Sequence, residues 1–199
     1  MSNTFHFLFF GIALIIKIIA IFYTNFDLFG DEAQYWTWSQ NLDFGYYSKP
    51  PLLPWVIRIF TILLGDSFEI LKIIPIGIYI FTSYTIFLIS YELYQNKNLA
   101  IISGISFYLL PAVSFSSFLL STDILLIFFW SLALLFLLKI RERPKFINFC
   151  ILGIFLGLSF LAKYAAIYFL LSLFIVIFFD NKLKEVFFKN LLNVVVFFI

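Results

Sequence analysis

The chain has 199 residues, of which 63% are hydrophobic and only 12% are charged. Soluble domains average about 45–50% apolar and about 25% charged residues, so this composition excludes a water-soluble globular enzyme and a disordered chain. The net charge of +2 gives no indication of nucleic-acid binding. One cysteine, Cys150, and one histidine, His6, exclude a disulfide framework and a cysteine-based or multi-histidine metal site. The solvent of this chain must therefore be a lipid bilayer.

Apolar runs predict a single transmembrane domain over residues 1–199, with six full spans and one partial span. About 20 apolar residues are needed to cross a hydrocarbon core of about 30 Å. In chain order, the predicted spans are 5–24, 70–94, 99–120, 124–140, 146–162, 165–179 and the partial run 186–199. Because the last run stops inside an apolar segment, we expect the chain to be a truncated piece of a longer protein.

The apolar stretch 146–179 requires a break. As one helix it would be about 50 Å long at 1.5 Å per residue, far more than the hydrocarbon core accepts. Lys163 is the charged residue inside this stretch. A hairpin at Lys163 is therefore predicted.

The charges are distributed unevenly between the loops. Basic residues are concentrated in three short loops, which the positive-inside rule assigns to the cytoplasm; they are Lys97, Lys139, Arg141, Arg143, Lys145, Lys182, Lys184 and Lys189. The long loop 25–69 instead contains six acids, which are Asp27, Asp31, Glu32, Asp43, Asp66 and Glu69. Both signals predict that this loop lies outside the membrane and that the N-terminus lies inside.

The outer loop 25–69 contains two segments that predict short helices lying on the membrane surface. Residues 30–40 start with a glycine and two acids, and the helix dipole favours acids in a first turn. Trp36 and Trp38 in this segment are suited to the headgroup level of a bilayer. Residues 52–64 are apolar but too short to span and are interrupted by a proline, so they predict a second interfacial helix.

Short motifs follow one another through the outer segments. They are Asp31-Glu32-Ala33 with Tyr35-Trp36, Gly45-Tyr46-Tyr47, Lys49-Pro50-Pro51-Leu52, Gly65-Asp66-Ser67, Ser121-Thr122-Asp123 and Leu161-Ala162-Lys163-Tyr164. Over roughly residues 10–180 this order resembles the GT-C glycosyltransferases of family 39, the protein O-mannosyltransferase-like group, to which the aminoarabinose transferases are related. The chain has Lys49 where many members have a histidine before the two prolines. Members also usually continue for several more spans and a C-terminal outer domain.

The resemblance implies an all-α integral membrane protein with a GT-C-type helical bundle and interfacial helices in the first outer loop. It further implies transfer of a sugar from a polyprenyl-phosphate carrier to an acceptor lipid, glycan or protein on the outer face of the inner (cytoplasmic) membrane. Asp31 would be the base that takes the proton of the acceptor hydroxyl, with Asp123 beside it. Lys49 would bind the lipid phosphate, which leaves readily and needs cations rather than an acid.

The same resemblance extends to the remaining candidate residues. It implies substrate contacts for Glu32, Lys163 and Tyr164. No cofactor is certain, although the carboxylates of Asp31, Glu32 and Asp123 could offer ligands to a divalent cation. A charge at the depth of Lys163 is costly in a membrane, so a functional role is the default hypothesis for it.

Structural explanations compete with these roles. Asp31 and Asp123 could merely favour helix N-termini, Arg58 and Lys49 could extend toward the headgroups, and Lys17 would need a partner inside its span. The loop aromatics fit either an interfacial belt or a sugar platform; they are Trp36, Trp38, Trp55, Tyr46 and Tyr47. At the level of function, the alternatives are an inactive truncated remnant and a non-enzymatic carrier of lipid or sugar, whose site would lie near the bilayer midplane.

Overall fold

The computed structural model describes residues 3–23 and 27–190, and it describes side chains from residue 8 onward within these ranges. In chain order the helices are α1 (Asn3–Tyr23), α2 (Gly30–Gln40), α3 (Leu52–Leu64), α4 (Phe68–Tyr94), α5 (Lys97–Leu109), α6 (Pro111–Ser116), α7 (Thr122–Glu142), α8 (Phe146–Ala162), α9 (Ile167–Phe179) and α10 (Asn181–Lys189). A 3-10 turn, Tyr164–Ala166, joins α8 to α9. These ranges contain no β-strand, which confirms the expected all-α architecture.

Two of the described helices, α4 and α7, are long and apolar enough to cross a membrane. A third span is present if residues 164–179 and α10 together form one broken span. The two parts are bent by 106° relative to each other. The apolar helices α3 and α8 and the part of α1 from Leu8 to Tyr23 are shorter. The number of spans therefore stays a prediction, and residues 191–199 of the predicted partial span lie outside the described residues.

The predicted span 99–120 is not one helix. It divides into α5 and α6 at Leu110, whose ψ of 135° is outside the helical region. Pro111 causes this break, because proline has no N–H to donate and disfavours helical geometry in the residue before it. By contrast, the break predicted at Lys163 is present: α8 ends at Ala162, and Lys163 is extended with φ of −159° and ψ of 136°.

The outer loop packs onto one end of the helical bundle, which we call the loop end. Leu53 and Ile57 lie one turn apart on α3 and are fully buried, as the helical spacing of a core-facing stripe requires. They share a hydrophobic core with Tyr35 of α2, Ile74 of α4 and Ile124 of α7. The position of the loop is therefore fixed by the helices beneath it.

A second core lies toward the opposite end of the bundle, which we call the basic end because α7 brings Lys139 and Arg141 there. Leu137 of α7, Leu152 of α8 and Leu173 of α9 meet in this core. The amphipathic helix α10 closes the core with its buried Leu183 and Phe187. Arg141 Nε donates to Asp180 Oδ2 at 2.7 Å, which ties α7 to the bend before α10.

Lys17 is buried in the middle of α1. Its Nζ lies 3.8 Å from the ring centroid of Tyr108 on α5, within the range of a cation–π interaction. Within the described part of the chain, neither Lys17 Nζ nor the Tyr108 hydroxyl has a hydrogen-bond partner. The aromatic face thus supplies the contact that the sequence left open for Lys17.

Candidate active site

Glu32, in the first turn of α2, turns into the protein rather than toward solvent. Its exposed fraction is 2%, and Lys72 Nζ of α4 lies 2.6 Å from Oε2 and 2.8 Å from Oε1. Oε2 also accepts the N–H of Phe29 at 3.0 Å, and Oε1 accepts the N–H of Leu120 at 2.7 Å. Lys72 Nζ donates further to the carbonyl of Phe118 at 3.2 Å. One carboxylate therefore joins α2, α4 and the turn before α7.

This buried ion pair depends on its complete set of partners. Taking a carboxylate and an ammonium out of water is costly, and only close geometry and extra hydrogen bonds compensate. Glu32 has both the close geometry and the extra hydrogen bonds, so its carboxylate is fully occupied by contacts inside the protein. Its substrate contact stays a prediction, and its burial favours a positioning role. This pair could not be predicted from local sequence patterns, because its two members are 40 residues apart.

Tyr35, one turn after Asp31 on α2, links the two candidate acids. Its phenol is buried, and the side chain of Thr122 at the start of α7 is close enough to influence it. Burial, then the negative charge of Asp31, and more weakly that of Asp123, raise the pKa of Tyr35, whereas the Thr122 side chain lowers it. The charges of Asp31 and Asp123 therefore both act on one buried hydroxyl.

Asp123 forms an ion pair with Lys163. The Nζ–Oδ1 distance is 2.6 Å, and the side chains are 54% exposed for Asp123 and 34% exposed for Lys163. The pair brings the N-terminus of α7 to the break after α8, where Tyr164 is exposed. Exposed ion pairs contribute little stability, so this contact can open without a large cost.

Lys49 lies half-buried in the connection between α2 and α3. The connection is held locally: the Tyr46 N–H donates to the Lys49 carbonyl at 3.2 Å, and the Tyr46 ring stacks on Trp38 with centroids 4.7 Å apart. Across the described residues, no hydrogen bond or ion pair joins Lys49 to Asp31 or Asp123. The structure therefore brings Asp31, Asp123 and Lys163 to one region, and the Lys49 ammonium has no ionic partner among the residues that the structure describes.

The loop aromatics are mostly engaged within the loop. Trp36 Nε1 donates to Asp66 Oδ1 at 2.7 Å, and Trp55 Nε1 donates to the Asp43 carbonyl at 2.9 Å. Tyr47 is fully exposed. Arg58 donates to Gln40 Oε1 at 3.3 Å, which joins α3 to α2. These contacts assign most of the aromatic residues to loop packing.

Two further features describe the surroundings of the site. In the parts of the chain that the structure describes, no group of three or more His, Cys, Asp or Glu side chains could hold a metal ion. Glu32 faces Lys72, so it does not join Asp31 and Asp123 in such a group. A cavity of about 270 Å³ lies beside Lys72 between α1, α4 and the α6 region, and its lining is mostly apolar, including Phe29, Phe68 and Phe118.

Comparison with known proteins gives three matches. A family model described as dolichyl-phosphate-mannose-protein mannosyltransferase matches residues 48–199. The chain is 37% identical over 153 residues to the lipid A galacturonosyltransferase RgtD of Rhizobium johnstonii, covering 76% of this chain and 32% of that protein. It is 29% identical over 136 residues to the lipopolysaccharide core galacturonosyltransferase RgtA of the same organism, covering 67% and 27%.

The chain therefore spans less than a third of the length of these curated relatives. No solved structure matches it.

A double-mutant cycle tests the buried pair. Glu32→Gln and Lys72→Met should each lower the free energy of unfolding by about 3–5 kcal/mol, because each leaves a buried charge without its partner. The double variant should be more stable than either single variant, since it contains neither charge. Thermal and denaturant unfolding of the purified protein measure all four forms. Additive losses in the double variant would contradict a coupled buried pair.

Proposed function

Because this chain belongs to the dolichyl-phosphate-mannose-protein mannosyltransferase family, we propose that it acts as a membrane glycosyltransferase of the GT-C type. Family membership confirms the resemblance that the outer-loop motifs indicated. The sugar donor is a polyprenyl-phosphate sugar, and the acceptor is a lipid or glycan of the cell envelope. Since the two relatives are named for galacturonosyl transfer to lipid A and to lipopolysaccharide core, galacturonic acid and lipid A are the first sugar and acceptor to test.

One observation carries this proposal: Glu32, the residue after Asp31, accepts the N–H of Leu120, three residues before Asp123, at 2.7 Å, so the segments that carry the two acids are joined. A transferase needs a free carboxylate that can take the proton of an acceptor hydroxyl while that oxygen attacks the sugar. Asp31 is exposed and has no ionic partner in the described residues, whereas Asp123 is paired with Lys163. This difference favours Asp31 as the base and Asp123 as its neighbour.

The proposed reaction proceeds by inversion. The acceptor oxygen forms a bond to the anomeric carbon of the sugar as its proton passes to Asp31. The bond from that carbon to the phosphate oxygen breaks, and the phosphate keeps the electron pair. Cations near the departing phosphate stabilise its growing charge. Lys49, which has no ion-pair partner among the described side chains, and Lys163, whose ion pair is exposed, are the residues we assign to it.

Tyr164 and Glu32, the remaining candidate residues, are assigned to substrate contact and to positioning of the acids. Tyr164 is exposed beside Lys163 and is assigned to substrate contact. Glu32 is assigned to positioning, because its bond to the Leu120 N–H fixes the backbone shortly before Thr122 and Asp123. Asp31 is adjacent to Glu32 in the same helical turn. The Glu32–Lys72 pair thereby holds the segments that carry both acids.

The proposed base is tested by Asp31→Asn in the purified protein. This change keeps the shape of the side chain and removes the proton acceptor, so turnover should fall at least about 100-fold. Transfer from a polyprenyl-phosphate-linked galacturonic acid to lipid A, followed by mass spectrometry, measures it. The matched control is Asp27→Asn, which alters another exposed loop acid and should keep parental turnover. In the same assay, Lys49→Ala should raise the donor KM more than it lowers kcat.

Several outcomes would contradict parts of this account. Ordinary turnover by Asp31→Asn would remove Asp31 as the base and make Asp123 the candidate. A parent protein that binds donor without transferring sugar would favour the carrier hypothesis. A parent that neither binds nor transfers would favour an inactive remnant.

We also propose that the loop end faces the outside of the inner membrane, with the N-terminus in the cytoplasm. The support is the acidic character of the loop and the basic character of the opposite end. In a Cys150→Ala background, a cysteine at the exposed position Asn41 should react with a membrane-impermeant maleimide in intact cells. A cysteine at the exposed position Asn96 should react only after permeabilisation. Labelling of Asn96 alone in intact cells would reverse the orientation.

A further inference from the structure

An apolar groove runs along the contact between α4 and α5 on the side of α1. We call it the α4–α5 groove; its volume is about 320 Å³. Tyr84 and Phe87 of α4 form one wall, and Ile101 and Ile105 of α5 form the other. Phe10 of α1 also borders it, with its ring packed on Tyr108 at a centroid distance of 4.7 Å. None of the residues assigned to sugar transfer lines the groove.

The bottom of the groove is formed where α4 and α5 pack closely against each other. Gly104 and Ser83 line the groove and are buried, and Ser83 Oγ donates to the Gly104 carbonyl at 2.7 Å. A Cβ atom at Gly104 would lie only 2.8 Å from the Ser83 carbonyl oxygen. Glycine is therefore required for this approach of the backbones, and no side chain from position 104 fills the space above it.

The groove has a cation in its lining. Lys97 is the first residue of α5, it is exposed, and it lines the groove together with the apolar residues. In the described part of the chain Lys97 has no ion-pair partner. Glu92, five residues earlier, is already paired with Arg143 at 2.9 Å. The apolar α4–α5 groove thus ends at the Lys97 ammonium, which no described acid neutralises.

A ligand of this groove must pack against its apolar walls and also carry a negative charge for Lys97. Hydrocarbon chains fill an apolar groove that opens to a bilayer, because its walls would otherwise lose their dispersion contacts. An ammonium at the end of such a groove attracts an anionic headgroup. We propose that the α4–α5 groove binds one acyl chain of an anionic phospholipid of the surrounding bilayer, with the lipid phosphate on Lys97. This site is independent of the proposed glycosyl transfer.

The experiment compares phosphatidylglycerol with phosphatidylcholine of identical acyl chains. Each lipid is titrated into the purified protein in detergent, and native mass spectrometry counts the bound lipid. The parent should retain phosphatidylglycerol preferentially. Lys97→Gln should reduce that preference about fivefold, as expected for one lysine near a lipid surface. Ile105→Trp should fill the groove and reduce the binding of both lipids.

Two matched controls separate a built site from general attraction. Lys145→Gln removes another exposed lysine that does not line the groove, and Ile102→Trp enlarges a residue on an exposed face of α5. Both should keep the parental pattern. The proposal is overturned if Lys145→Gln weakens phosphatidylglycerol binding as much as Lys97→Gln does, or if the parent has no preference. Because Lys97 is exposed, its substitution tests the site even if Ile105→Trp fails to fold.

Discussion

The buried ion pair between Glu32 and Lys72 is the interaction on which the arrangement of the loop end depends. The Glu32 carboxylate meets the ammonium at 2.6 Å and accepts the backbone N–H groups of Phe29 and Leu120. These contacts join the start of α2, the first turns of α4 and the turn before α7. Since a buried charge is tolerated only with its partners, the three segments must come together for any one of them to be stable.

The chemistry that we propose follows from this junction. Asp31 is next to Glu32, and Asp123 lies just beyond Leu120, so the pair sets the position of both acids. Tyr35 and Thr122, both buried, belong to the same two segments. The exposed ion pair between Asp123 and Lys163 then adds the break after α8 to this region. A buried ion pair that holds exposed carboxylates in place suits proton transfer from an acceptor that arrives at the membrane surface.

Local signals made much of the fold predictable. The acids after Gly30 predict the start of α2, the length of the apolar run 52–64 predicts α3, and the charge at Lys163 predicts the break after α8. The division at Pro111 was missed, because a proline inside a long apolar run is compatible with a kinked span. The partner of Glu32 was also missed: Lys72 lies near the start of a span, where a lysine is ordinarily expected to reach for the headgroups.

Hydrogen–deuterium exchange on the purified protein tests the central claim most directly. In the parent, the amides of residues 29–40 and 118–123 should both be protected, because the Glu32–Lys72 pair holds both segments. In Lys72→Met, exchange should accelerate in both segments together, while residues 149–156 in the second core should keep their parental rates. Unchanged protection of residues 29–40 in Lys72→Met, or acceleration in one segment without the other, would contradict the claim that one buried pair positions the site.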